Sequence, residues 1–178
     1  YWEKELGVPV KVDNRGGANG QIGTTYFMSL PDDGTAVLLT AQLYYSATIL
    51  LQDAPYSIDD AAVLNYLEIF PNCISAPRTS HYETFSDLDK DIKSSPGKIR
   101  VGVTPGSPGA IMIDYLIDRL GWNVKIVNYD GGTEMTTALL GGHIDVSTNG
   151  MSIDNLGNDK ILAVWADQRN AATPDVTT

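Results

Sequence analysis

The chain is poor in the residues that build covalent or metal-held frameworks. Its 178 residues include one cysteine, Cys73, and two histidines, His81 and His143. A single thiol excludes an internal disulfide and any multi-cysteine metal site, and neither histidine has a second one at ligand spacing. No metal and no cofactor are expected. Positive charge is also short: 12 Lys and Arg stand against 22 Asp and Glu, a formal charge of −10. Nucleic acid and anionic lipid both need a basic surface that displaces counterions, so neither is an expected partner. No apolar run reaches the ~18 residues of a membrane span, and no basic, apolar leader opens the chain. Direct membrane insertion is therefore not expected, and the sequence reads as mature, truncated or both. What is present is ordinary for a globular fold: a hydrophobic fraction of 43% in a chain long enough for one large domain or two small ones.

The most informative stretch runs from Val124 to Asn149. Val124, Ile126 and Val127 form a β-branched run that meets Asn128-Tyr129-Asp130-Gly131-Gly132. Met135, Ala138 and Leu139 then recur at helical spacing within Thr133 to Leu140, which stops at Gly141-Gly142 before a short strand, Ile144-Asp145-Val146. This is a strand, glycine turn, helix, strand unit. It puts bare backbone N–H groups at a helix start on the carboxyl edge of a parallel sheet, where open α/β folds bind small ligands.

The remaining segments repeat the theme. Tyr1 to Leu6 reads as the last turn of a helix, Val8 to Val12 as a strand, and 13–20 as a loop. Gln21 to Leu30 is helical, Ala36 to Leu39 a buried strand, and Tyr44 to Gln52 a second helix. Ala61 to Ala76 is extended and apolar, as for a segment crossing between lobes. Ser86-Asp87-Leu88-Asp89 has capping-box spacing for a helix that ends before Ser95-Pro96-Gly97. Ile99 to Val103 is a strand, Thr104 to Gly109 a second glycine-rich loop, Ala110 to Leu120 a helix, and Ile161 to Ala166 a last strand. The alternation predicts an α/β fold with largely parallel sheets. Three loops at strand-to-helix junctions, 40–42, 104–109 and 130–132, would share one sheet edge in each lobe and enclose a polar cleft lined by hydroxyls and N–H groups. That lining suits a carboxylate.

Five strings along the chain resemble successive landmarks of one family. They are Asn14-Arg15-Gly16-Gly17-Ala18-Asn19-Gly20-Gln21-Ile22-Gly23; Pro31-Asp32-Asp33-Gly34-Thr35; Ser95-Pro96-Gly97-Lys98; Tyr129-Asp130-Gly131-Gly132 with 138–145, ALLGGHID; and Pro174-Asp175-Val176. The family is that of the tripartite tricarboxylate transporter substrate-binding proteins, or Bug receptors, and the order and spacing match along nearly the whole chain. The resemblance implies a fold of the type II periplasmic-binding-protein kind, with two lobes and truncation at both ends relative to the family. Its lobes would be 1–72 and 73–166, with 167–178 starting a return crossing. It implies a periplasmic receptor that captures a small organic acid, a carboxylate or an amino acid, and delivers it to membrane permease subunits, with no catalysis.

Carried over by position, the implied ligand residues are Thr40, Ala41 and Gln42 in the first lobe. In the second they are Thr104, Ser107, Gly109, Ala110, Tyr129, Asp130, Gly131, Gly132 and Asn149. The chain departs from the family pattern at Asp130, where a basic residue is usual, and at Asn149, where an aspartate is. Asp130 either faces the cleft and favours a ligand bearing an amine, or caps the following helix; capping is the expected role. Two other classes remain: a truncated α/β protein-interaction domain, and an enzyme on a related scaffold. The enzyme reading lacks support, since Ser107 has no nucleophile-elbow pattern and Cys73 no neighbouring base.

Overall fold

A computed structural model describes residues 1–65, 71–150, 157 and 159–166. The chain divides into two compact units, Tyr1–Asp60 and Ala61–Thr178. The parts of the expected crossing segments at 66–70 and 167–178, including the Pro174-Asp175-Val176 string, lie outside the described residues.

The second unit is built on a five-stranded sheet. Its strands are β1 (Asn72–Pro77), β2 (Arg100–Val103), β3 (Lys125–Asn128), β4 (Val146–Ser147) and β5 (Asp159–Trp165), in the order β3-β2-β4-β1-β5. β2 pairs parallel with both β3 and β4, while β1 runs antiparallel to β4 and β5. Only β1 therefore opposes the common direction, which makes the sheet largely parallel. Helices α4 (Phe85–Ser94), α5 (Pro108–Leu120) and α6 (Gly132–Leu140) follow β1, β2 and β3.

Alternation along the strands separates two cores. Ile74, Ala76, Val101, Val103, Val146 and Leu162 meet Leu88 and Ile92 of α4 and Met112 and Ile113 of α5. Met135, Ala138 and Leu139 of α6 pack with Ile144, Val127 and Tyr129 in a second cluster. A side chain at Gly102 would run into Met135 and Ile144, so α6 lies on the face opposite Val101 and Val103. At about 1.5–3 kcal/mol for each fully buried aliphatic side chain, these two layers hold the unit together.

Local signals set the helix ends. α4 opens with a capping box, but its cap is Thr84 and not Ser86: Thr84 Oγ1 accepts the Asp87 N–H at 3.2 Å and Asp87 Oδ2 accepts the Thr84 N–H at 2.9 Å. Ser86 lies two residues beyond the cap, inside the helix, and the first helical residue, Phe85, packs beside Trp122 at 5.5 Å between ring centroids. β4 is shorter and later than expected: regular pairing is confined to Val146–Ser147, with the Asp145 N–H donating to Arg100 O at 2.9 Å just before it.

The first unit contains α1 (Trp2–Leu6), α2 (Gln21–Met28) and α3 (Gln42–Leu51), with 3₁₀ turns at Ala18–Gly20 and Ile58–Asp60. The strands expected at Val8–Val12 and Ala36–Leu39 do not form. A strand exists only through the neighbour that takes up its backbone groups, and no described segment pairs with either stretch. Val8, Val12, Val37 and Leu39 are accordingly exposed. The packed part of the unit is small: Tyr45 stacks on Tyr56 at 5.4 Å, the Tyr56 hydroxyl bonds Thr48 Oγ1 at 2.8 Å, and Ala47 and Thr24 are buried. No described helix is long and apolar enough to cross a membrane.

Candidate functional site

The second unit gathers its expected ligand residues at one sheet edge. β2, β3 and β4 are parallel, so their carboxyl ends, Val103, Asn128 and Ser147, lie on the same side. The chain leaves β2 through Thr104-Pro105-Gly106-Ser107, in which the Ser107 N–H donates to Thr104 O at 3.0 Å and Gly106 takes φ +70°. Proline followed by a left-handed glycine is the pattern of a type II turn, and it aims the chain straight into α5. Ser107 is the N-cap: its buried Oγ accepts the Ala110 N–H at 3.2 Å, and Pro108 sits at the first helical position, where a missing N–H costs nothing.

α6 begins at the same edge. The Tyr129 N–H donates to Val103 O at 2.9 Å, which extends the β2–β3 ladder by one step, and Gly131 then caps α6 from an extended conformation. The expected capping role of Asp130 does not hold. Glu134, three residues past the N-cap, reaches back so that Oε2 accepts the Asp130 N–H at 3.4 Å. The Asp130 carboxylate is exposed and makes no hydrogen bond or ion pair among the described residues. Tyr129 packs against the α6 core and not freely into solvent.

The end of β4 sits between these two helix starts. A Cβ on Gly109 would collide with the backbone oxygen of Thr148, and one on Gly132 would stand 3.0 Å from Asn149 Oδ1. Close backbone approach thus requires the glycine at 109, while at 132 a side chain would press on Asn149; the two contacts lie on opposite faces of the sheet. Thr148 Oγ1 donates to Gly102 O at 2.9 Å, and Asn149 Nδ2 to Thr136 Oγ1 at 3.1 Å. Asn149 O accepts the Cys73 N–H at 2.9 Å, and Asn72 bridges Gly150, so the start of β1 closes the edge. The structure therefore brings Thr104, Ser107, Gly109, Ala110, Tyr129, Asp130, Gly131, Gly132 and Asn149 to one rim. Thr40, Ala41 and Gln42 belong to the first unit, where Ala41 is the N-cap of α3 without a side-chain capping bond. A surface depression of that unit, lined by Gln21, Ile22, Tyr26 and Pro55 among others, involves none of them.

Sequence reasoning missed Thr148, Thr136, Glu134 and Asn72. Only Glu134 had a local signal, the three-residue step of a helix-capping carboxylate. The other three act through pairings that only the folded sheet reveals.

Chemically, the rim offers amides, hydroxyls and a carboxamide, groups that hold an anion without transferring atoms, beside the carboxylates of Asp130 and Glu134. Burial, aided by the charge of Asp159, pushes the Cys73 thiol up to about 12, so it stays protonated and unreactive. No described cluster of three His, Cys, Asp or Glu side chains could hold a metal.

The family model described as the tripartite tricarboxylate transporter family receptor matches residues 2–178. The chain belongs to this receptor family. The curated relative named "UPF0065 protein in gbd 5'region", of Cupriavidus necator, is 28% identical over 187 residues, which cover 98% of this chain and 55% of that protein. Among solved structures, the periplasmic binding protein BugD superposes with a TM-score of 0.82 at 25% identity, covering 99% of this chain and 61% of that one. MatC from Rhodopseudomonas palustris, solved with bound malate, gives a TM-score of 0.81 at 22% identity over 99% and 62% of the two chains. The fold is thus that of the periplasmic binding proteins, and the receptor-family chain described here spans little more than half the length of the relatives it matches.

Proposed function

We propose that the chain is the ligand-binding part of an extracytoplasmic receptor that captures a small organic acid and hands it to the membrane subunits of a tripartite tricarboxylate-type transporter. One observation carries the reading: the starts of α5 and α6 flank the end of β4 at a single rim, Gly109 against Thr148 and Gly132 against Asn149. The first turn of α6 presents N–H groups and partial positive charge, while at α5 Pro108 has no N–H and that of Ala110 is taken by Ser107 Oγ, so a carboxylate is stabilised chiefly at the start of α6, without any arginine. Membership of a receptor family and the malate held by MatC support the choice of an organic acid over other anions. Thr40, Ala41 and Gln42 remain in the proposed ligand set, carried by the resemblance and by their place at the start of α3.

Thermal unfolding against a panel of carboxylates and amino acids tests the reading. A ligand at a hundred times its dissociation constant stabilises the folded state by about 2.7 kcal/mol. No shift across the panel ends the proposal. Gly131→Leu is the matching variant: φ is −173° and an added Cβ meets nothing within 4 Å, so the fold is retained while the rim is obstructed. Equal loss of binding and stability would make this turn structural only.

A second reading has its own support. The exposed apolar side chains of 8–12 and 36–39 lack a partner among the described residues, as in a protein-interaction domain. A monodisperse monomer at high concentration argues against it.

A further inference from the structure

A buried polar cluster lies on one face of the β1–β5 pair. Ile74 and Ala76 of β1 face the core beneath α4 and α5, so alternation turns Cys73 and Ser75 to the other face, where Ser147 of β4 and Asp159 of β5 join them. Ser75 Oγ and Ser147 Oγ are 2.9 Å apart, and Ser75 Oγ stands 3.5 Å from Asp159 Oδ2. Asp159 is 2% exposed, and its Oδ1 is buried with no hydrogen-bond partner. An ionised carboxylate out of water needs short hydrogen bonds or a cation against it, and one contact of 3.5 Å supplies neither. A protonated carboxyl needs less: its hydroxyl has Ser75 Oγ to donate to, and Ser75 Oγ passes a bond on to Ser147.

The charged groups on the neighbouring elements do not reverse this. Past the end of β1, Arg78 donates from Nε to Gly157 O at 3.0 Å, and its charge works against the rise that burial imposes on the Asp159 carboxyl without cancelling it. On β5, Lys160 is taken by Glu83 at 2.6 Å and by Ser80 O at 3.4 Å. Ahead of β4, Asp145 is bound to Arg100 of β2. The charged residue of α6, Glu134, is engaged at the Asp130 N–H, and the Cys73 thiol stays protonated.

The β1–β5 ladder is divided beside the cluster. Ile74 pairs with Ala163 but Ser75 with Ile161, so Leu162 interrupts the register and Asp159–Ile161 pairs with 75–77 as a separate short stretch. β5 is the outer strand of the sheet, held among the described residues by β1 alone.

We propose that Asp159 is a proton-operated latch on this edge strand. Protonated, it lies against Ser75 and keeps Asp159–Ile161 on β1; ionised, it turns to water and frees that stretch ahead of the rest of the sheet. A carboxyl raised on folding adds stability that is complete below its unfolded value and is lost as pH rises through the folded one, so the latch holds in acid and loosens above the ordinary carboxylate range. It works whether or not the rim takes a ligand.

Amide hydrogen exchange resolved by residue, each rate divided by that of an unstructured chain at the same pH, tests the latch. The β1-bonded amides of 159–161 should be less protected than those of 101–103, and their protection should fall at least about ten-fold between about pH 5 and 8. Asp159→Asn keeps the shape of the acid and removes its ionisation, so protection at 159–161 should become level across that range. Equal protection at 159–161 and 101–103 in the unsubstituted chain would show that the stretch opens only with the whole sheet, and overturns the latch without any variant. Protection that is level with pH in the unsubstituted chain, or that falls alike in it and in Asp159→Asn, overturns it too.

Discussion

The two units of this chain spend similar sequence on different outcomes. Val8–Val12 and Val101–Val103 are both short β-branched runs between turns, yet the second is wholly buried in a ladder and the first stands exposed without one. β2 has a parallel neighbour on each side and a helix layer on each face, whereas no described segment lies alongside 8–12 or 36–39. The difference teaches that β-propensity states what a stretch can do if a pleated, half-covered surface is provided. It does not provide that surface.

Substitution in the buried layer should have the largest effect. Ile113 lies at 0% exposure among Val101, Val103 and Met112, where α5 meets the sheet. Ile113→Ala removes its contacts and leaves a cavity, an expected loss of about 2–5 kcal/mol in denaturant unfolding. A loss below about 1 kcal/mol would mean that the α5 layer is loose and the contrast with the first unit overstated.

The helix start at the rim ranks next. Ser107→Ala deletes the Oγ that accepts the Ala110 N–H and should cost about 1 kcal/mol, with 2 as the upper end. α3 starts at Ala41 with no such bond, so Ala41→Ser should, if anything, stabilise the first unit. Measuring the two side by side sharpens the comparison from packing down to capping.

Electrostatics gives a smaller effect with a signature in pH. Asp145 ties β4 to β2: it accepts the Arg100 N–H at 2.7 Å and a two-pronged guanidinium contact at 3.1 and 2.7 Å. Burial opposes its charge, but the hydrogen bonds and the cation of Arg100 win and hold the carboxyl below its usual value of 3.8. A carboxyl lowered on folding adds stability that is complete above its unfolded value and fades as pH falls through the folded one. Asp145→Asn should thus cost about 1 kcal/mol near neutrality, the partial exposure of the pair keeping it at that level, and nothing in strong acid. Asp159 runs the other way. Burial raises its carboxyl, so its ionisation destabilises the fold as pH rises, and the two residues together bracket how the sheet responds to acid.

Much of the second unit was readable residue by residue. Ile99–Val103, Thr104–Gly109 and Ala110–Leu120 carry their own strand, turn and helix signals, and the structure follows them to within a residue or two. The rim was readable too, because glycine before a helix is a local signal. Sequence could not show that Gly109 must clear Thr148, or that Glu134 and not Asp130 serves the start of α6. The first depends on strand order, the second on which of two nearby carboxylates has the reach. The strands of the first unit failed for a related reason: pairing is a property of two segments, and one was read alone.

The smallest predicted effect is the sharpest test of the contrast. Leu39 is 80% exposed, so it has little apolar contact to lose, and Leu39→Ser should change the unfolding free energy by less than about 0.5 kcal/mol. The same change at Val101, which is 0% exposed, removes packing and buries a hydroxyl beside Val146, so it should rank with Ile113→Ala. A loss above about 1.5 kcal/mol at Leu39, measured by denaturant unfolding at two protein concentrations, would show the segment covered in solution. If that loss grew with concentration, the cover would be another copy of the chain, and the absence of a ladder at 36–39 would reflect a missing neighbour and not a sequence unfit to pair.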